Sequence, residues 1–236
     1  MFDTFIDNLR TLSFIEYIKT LPTYFITSLG IILFIIILSV WVGSYVSKLD
    51  VRDKPNKFMT LIIQFIEFFN NYVKGYIGKH WKFVTPITLT LAIYVALANM
   101  SGILALDSPT KYTSITFSLS IISFVVVQAT GFISQSWKHL LGLFKPLWPL
   151  FPLNLISDVT PILSMALRLF GNIVSGSVIL LLVYQLTGWA SLAVAPAFHL
   201  VFDIGFGLVQ TLVLVLLTIV FASIKVDEDD LNFENL

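Results

Sequence analysis

Long apolar runs separated by charges set the layout of this chain. About 20 helical residues cross a hydrocarbon core of about 30 Å, and three uncharged stretches reach that length: residues 20–47, 83–106 and 112–137. Each predicts one spanning helix, because within hydrocarbon a helix satisfies its backbone N–H and C=O groups inside a single segment. The first run starts too deep and runs too long for the apolar core of a cleavable signal, and it leads directly into more membrane segments.

Residues 56–76 follow a different period. Lys57, Thr60, Gln64, Glu67, Asn71 and Lys74 recur every three or four positions, while the opposite side carries Phe58, Leu61, Ile62, Phe65, Phe68, Phe69 and Tyr72. That pattern predicts an amphipathic helix lying in the membrane interface, although a helix packed against other protein has the same alternation. From Pro146 to Ile224 the charged side chains are Asp158, Arg168 and Asp203 alone. Turn signals are few there, with Thr187 and Gly188 the clearest break and Pro196 a second irregularity. Two long helices fit better than three short ones: residues 150–187 holding Arg168, and residues 190–224 holding Asp203 and Gln210. Helices of that length must tilt strongly in a bilayer. The expected fold is an all-α integral membrane protein with three spans, one interfacial helix and a tilted C-terminal hairpin. Residues 1–19 form an extramembrane N-terminal segment and residues 225–236 an acidic tail.

Composition narrows the function. The chain is 57% hydrophobic and 12% charged, against about 25% charged in ordinary soluble domains, so soluble and disordered classes are excluded. Fourteen basic residues balance fourteen acidic ones, which leaves no bulk attraction for nucleic acid. There is no cysteine, hence no disulfide, Fe–S cluster or thiolate zinc site. No Gly-x-x-x-x-Gly-Lys-[Ser/Thr] phosphate loop occurs. His80, His139 and His199 are too scattered for a metal site, so no cofactor, metal ion or bond-making active site is expected. With the N-terminus outside, ten basic residues fall on the inner side (Lys48, Arg52, Lys54, Lys57, Lys74, Lys79, Lys82, Lys138, Lys145 and Lys225). Arg10, Lys19 and Lys111 remain outside, and the positive-inside tendency favours that orientation.

Arg168 carries the chemistry. A guanidinium keeps its proton at any physiological pH, and placing one at mid-membrane costs about 2.5–3.5 kcal/mol on insertion scales. The bland explanation is a salt bridge to Asp203 or Asp158. The sharper one is a fixed positive charge facing a polar path or a partner's carboxylate. Ser164, Arg168, Asn172 and Ser175 share one helical face, and Gly171, Gly176 and Ser177 lower the bulk beside it, so that another helix can approach closely. In the last helix His199, Asp203, Phe206 and Gln210 recur at helical spacing and form a second polar stripe. Asp and His can hold or pass a proton, and Gln can orient water.

These residues resemble subunit a of the rotary F-type ATP synthase. Ser164-Met-Ala-Leu-Arg168-Leu-Phe-Gly-Asn172-Ile-Val-Ser-Gly176 is similar to the stretch around that family's essential arginine. Asp203-Ile-Gly-Phe-Gly-Leu-Val-Gln210 is similar to its final helix, and Asn99-Met-Ser-Gly-Ile-Leu104 with Ser108-Pro-Thr110 resembles the end of one span and its loop. The resemblance implies a stator subunit that presents Arg168 to a rotating c-ring and lines two offset proton half-channels. Asp203, Gln210 and Asn172 would belong to the outward half-channel, and Ser157, Thr160 and Ser164 to the inward one. The implied partners are the c-ring, peripheral-stalk b subunits, the lipid bilayer and, indirectly, the soluble ATPase head. The implied location is a bacterial plasma membrane, with a mitochondrial inner membrane as the alternative. Where many members carry an ionisable residue nine positions after the arginine this chain has Ser177, and where many carry Glu fourteen before it stands Asn154. His199 and Asp158 are the expected compensators. A self-contained proton-coupled transporter, with Arg168 holding an anionic substrate and Asp203 the proton, is the competing reading. It predicts internal repeats and broken helices in two halves, and the sequence displays neither.

Overall fold

The computed structural model describes residues 21–49, 55–104, 106–136, 151–190, 194, 198 and 200–231. The N-terminal segment, His199 and several basic residues used for orientation (Arg10, Lys19, Arg52, Lys54, Lys138 and Lys145) lie outside the described residues. The described elements are all helical: α1 (Thr23–Ser47), α2 (Lys57–Ile77), α3 (Trp81–Met100), α4 (Thr113–Gln135), α5 (Phe151–Thr187), a π-helical turn (Leu200–Phe206), α6 (Gly207–Ile224) and a short α7 (Glu228–Leu231). Among the described residues four helical stretches are long and apolar enough to cross a membrane: Thr23–Ser47, Lys57–Met100, Thr113–Gln135 and Ile204–Ile224.

The core forms where α3, α4 and α6 meet. One cluster joins Leu91, Tyr94, Val95 and Ala98 to Leu119, Leu214 and Ile35. A second joins Val84 to Val126, Val127, Val215, Ile219 and Ala222, with Val73 and Ile77 of α2 against them. In a bilayer the lipid tails are as apolar as these side chains, so close approach and hydrogen bonding, rather than water exclusion, select the buried face. Small hydroxyl residues mark it: Thr88, Thr116, Ser120, Ser123, Thr130, Thr211 and Thr218 are all buried. Several bond within their own helix, such as Thr88 to the Val84 carbonyl at 2.9 Å and Thr130 to the Val126 carbonyl at 2.8 Å. Their polarity is thereby satisfied without a partner helix. α1 packs on the edge of this core through Ile35 and is tied to it by Ser28, 2.7 Å from the Tyr94 hydroxyl.

α2 presents three faces. Met59, Val73 and Ile77 are packed inward, and the Lys57 to Lys74 polar stripe runs along another side. Between them Phe58, Leu61, Phe65 and Phe68 stay 60%, 65%, 53% and 68% exposed. An uncovered apolar stripe beside a polar one suits the headgroup boundary of a membrane. Gly78 turns the chain from α2 into α3 with φ +60°, a left-handed backbone that glycine adopts freely. α5 has 37 residues, about 55 Å at 1.5 Å per residue, so it exceeds the bilayer core and must lie oblique to it.

One difference from the sequence expectation is local. Instead of an α-helix throughout residues 190–224, the described part has the π-helical turn Leu200–Phe206 before α6. Gly205 and Gly207 weaken the α-helical preference there, and the end of α3 holds the altered backbone.

Candidate functional site

Arg168 stands on α5 with its side chain exposed, and so do Ser157, Thr160 and Ser164. At about 100° per residue, Ser157, Ser164, Arg168 and Ser175 fall within a narrow arc. The packed side of α5 carries Ala166, Gly176 and Leu180 instead. Leu153, Ile156, Leu163, Leu167, Val178 and Leu181 form an apolar strip about a quarter of a turn around the helix from that arc and are 62%, 61%, 48%, 54%, 49% and 57% exposed. The strip is therefore uncovered, with one permanent cation beside it. Ser177 is also exposed, about half a turn around the helix from Arg168, so the two do not share a face. Asn172 lies one turn beyond Arg168 on the same helix.

Asp158 is not the arginine's salt-bridge partner. Both of its carboxylate oxygens accept hydrogen bonds from Lys225 Nζ, at 2.7 and 2.8 Å. Gln128 Nε2 approaches Oδ2 at 3.5 Å. The three groups come from α4, α5 and the residue that caps α6, and they border a cavity of about 180 Å³ that Ser120, Ser123 and Ser157 also line. In the buried wall Ser123 bonds the Thr218 hydroxyl. Lys225 and Gln128 escaped the sequence reading because each reads as an ordinary flank or a mid-helix amide. Only the packing of three helices brings them to Asp158.

The second polar stripe is rearranged by the π-helical turn. Asp203 lies within that turn, and a π turn takes up an extra residue relative to an α-helix. Unbroken α-helical spacing therefore does not carry from position 203 to 210. Phe206, expected beside Gln210, is 46% exposed, whereas Gln210 is 3% exposed. Immediately after the turn, the Gly207 carbonyl accepts from Asn99 Nδ2 at 3.1 Å and from the Thr211 hydroxyl at 2.8 Å. Asn99 Oδ1 in turn accepts from Thr110 at 2.8 Å, and Ser108 lies 2.9 Å from the Thr110 hydroxyl. This hydroxyl–amide chain, buried throughout, fixes the backbone between Asp203 and Gln210 against the end of α3.

At the other end of the bundle the chain after α6 folds back. Asp230 Oδ2 accepts from Ser134 Oγ at 2.6 Å, with His80 Nε2 3.0 Å away, and the Asp227 amide donates to Ser134 Oγ at 2.9 Å. The Ser134 hydrogen bond, ahead of the contribution of His80, holds the Asp230 carboxyl below its ordinary value. Among the described residues no group of three or more His, Cys, Asp or Glu side chains is arranged to hold a metal ion.

Comparison with known proteins gives a consistent picture. The family described as "ATP synthase A chain" matches residues 25–223. The chain is 29% identical to the ATP synthase subunit a of Mycoplasmoides gallisepticum, over 89% of this chain and 80% of that one. It is 36% identical to the ATP synthase subunit a of Desulfotalea psychrophila, over 58% of each. With the corresponding subunit of Acidothermus cellulolyticus the identity is 26%, over 78% of this chain and 71% of the other.

Proposed function

Because the chain belongs to the ATP synthase A chain family, and so to the proton-transporting membrane sector of an ATP synthase, we propose that it is the stator surface against which a ring of carboxylate-bearing helical hairpins turns. The open face of α5 supports this reading: a long row of exposed apolar side chains with Arg168 beside it. Such a face would rest against helices of matching apolarity. A carboxyl group brought up to the fixed cation ionises more readily, because an opposite charge favours its charged form, and it releases its proton there. Past the arginine it regains one from the other side. A continuous water-filled pore would dissipate the gradient, and the permanent cation prevents that while a mobile carboxylate goes by.

In this reading Asp203, Asn172, Gln210 and His199 serve the outward half-channel. Asp158, Ser157 and Ser164 serve the inward one. One charge crossing 100 mV yields about 2.3 kcal/mol, so several protons are summed by rotation before one ATP is made on another polypeptide. Peripheral-stalk b subunits anchor the chain against that torque. The same parts pump protons when the head hydrolyses ATP, and a bacterial plasma membrane is the setting.

The absence of native cysteine makes the test clean. Leu167→Cys, on the open face, is expected to form an oxidative disulfide with a ring hairpin carrying one cysteine beside its carboxylate, while Ala166→Cys, fully buried, does not. A complex that assembles normally but cross-links at neither position would overturn the apposition.

A further inference from the structure

We propose that the Lys225–Asp158 pair is a gate on the inward proton path: the ammonium occupies the carboxylate and keeps it from exchanging protons with the cavity beside it until the pair parts. The inference rests on the stator reading above and assigns to Lys225, at the end of α6, a role in ion passage.

Three observations converge on it. Lys225 Nζ bonds both oxygens of Asp158, at 2.7 and 2.8 Å, so the whole anionic edge of the carboxylate is engaged. The pair is neither deeply buried nor free, with side-chain exposures of 21% and 18%; it can open without stranding a charge in a sealed core. A partly buried charge that loses its partner loses much stabilisation, and an aqueous border lowers that loss. The cavity of about 180 Å³ lies directly at the pair, with Ser120, Ser123, Gln128 and Ser157 among its lining beside the apolar Phe124, Val127, Phe221 and Ile224. At about 30 Å³ per water it has room for several waters, with hydroxyl and amide partners to hold them. Asp158 lies ten residues before Arg168 on the same helix, about 15 Å along its axis. Ser157, beside it, begins the exposed serine row that continues through Ser164 to the arginine.

A clamp and a gate give opposite signatures. If the pair only held α5 to α6, removing either partner would damage assembly and lower flux alike. If it is a gate, removing the lysine frees the carboxylate and removing the carboxylate removes the path. The experiment measures passive proton conductance in vesicles holding the assembled membrane sector stripped of its soluble head, with ring copurification as the control for assembly. The expected results are a rise of about fivefold for Lys225→Gln, the effect of about 1 kcal/mol on a barrier, near-native conductance for Lys225→Arg, and a fall of similar size for Asp158→Asn. The double variant should match Asp158→Asn alone, since a gate without its carboxylate guards nothing. A fall in conductance or a loss of copurification for Lys225→Gln would make the pair a clamp and overturn the proposal. Unchanged flux in all variants would place Asp158 off the path and overturn it too. Should the gate fail while Leu167→Cys still cross-links to the ring, the stator reading stands and only the role of Lys225 is lost.

Discussion

Asn99 Nδ2 hydrogen-bonds the Gly207 carbonyl at 3.1 Å and so joins the last turn of α3 to the first residue of α6. The bond lies directly beyond the π-helical turn that contains Asp203 and three residues before the buried Gln210. Backbone geometry at this point sets the offset along the helix between those two positions. Asn99→Ala removes the donor and leaves Thr110 without its acceptor, which is expected to cost about 1–3 kcal/mol. A lowered midpoint for thermal release of the chain from the purified complex would register it, and an unchanged midpoint would show that the bond is dispensable.

The same junction discriminates between two glycines. A Cβ on Gly207 would lie 2.9 Å from Asn99 Cβ, whereas one on Gly205 would meet nothing within 4 Å. Gly207→Ala should therefore push α3 and α6 apart, at about 1–3 kcal/mol for overpacking, while Gly205→Ala leaves the junction intact. Thermal midpoints of the two variants side by side decide it; equal effects would contradict the close approach.

Gly78 has a related role at the opposite end. Its φ of +60° disfavours any side chain, and an added Cβ would collide with the main-chain oxygen of Asp230. Gly78→Ala is expected to release the 227–231 segment from its seat on α2 and α4. Faster amide hydrogen exchange across those residues, with α3 unaffected, is the outcome to look for.

Acid should loosen that same segment. The Asp230 carboxyl is held below the ordinary carboxylate range, chiefly by the Ser134 hydrogen bond. A depressed carboxyl contributes stability that is complete above its unfolded value and disappears as pH falls through its folded one. Docking of residues 227–231 should thus persist at neutral pH and weaken in acid, below the ordinary carboxylate range. Ser134→Ala should move that weakening to higher pH. Limited proteolysis of the C-terminal segment across a pH series would follow it, and coincident curves for both proteins would count against the hydrogen bond.

Much of this architecture was readable from the sequence because a bilayer imposes simple rules. Charge-free runs long enough to span, the break at Thr187–Gly188 and the polar period of residues 56–76 all follow from the chain's local pattern. Arg168 stood out because a cation in an apolar run is costly. What stayed hidden depends on the meeting of distant segments. Nothing local marks Lys225 as the partner of Asp158, or Gln128 as their neighbour. The π-helical turn was equally invisible: the 199, 203, 206 and 210 spacing suits an α-helix, and only the packing of Gly207 on Asn99 fixes a different backbone.

The central claim is that the Arg168 charge couples ring movement to proton flow. Its most direct measurement is ATP-driven acidification of inverted vesicles carrying the complete complex with Arg168→Gln, beside the rate of ATP hydrolysis. The account predicts pumping lost by at least about a hundredfold, equivalent to about 2.7 kcal/mol, with hydrolysis by the head surviving and the ring still copurifying. Pumping at the native rate by that variant would contradict it.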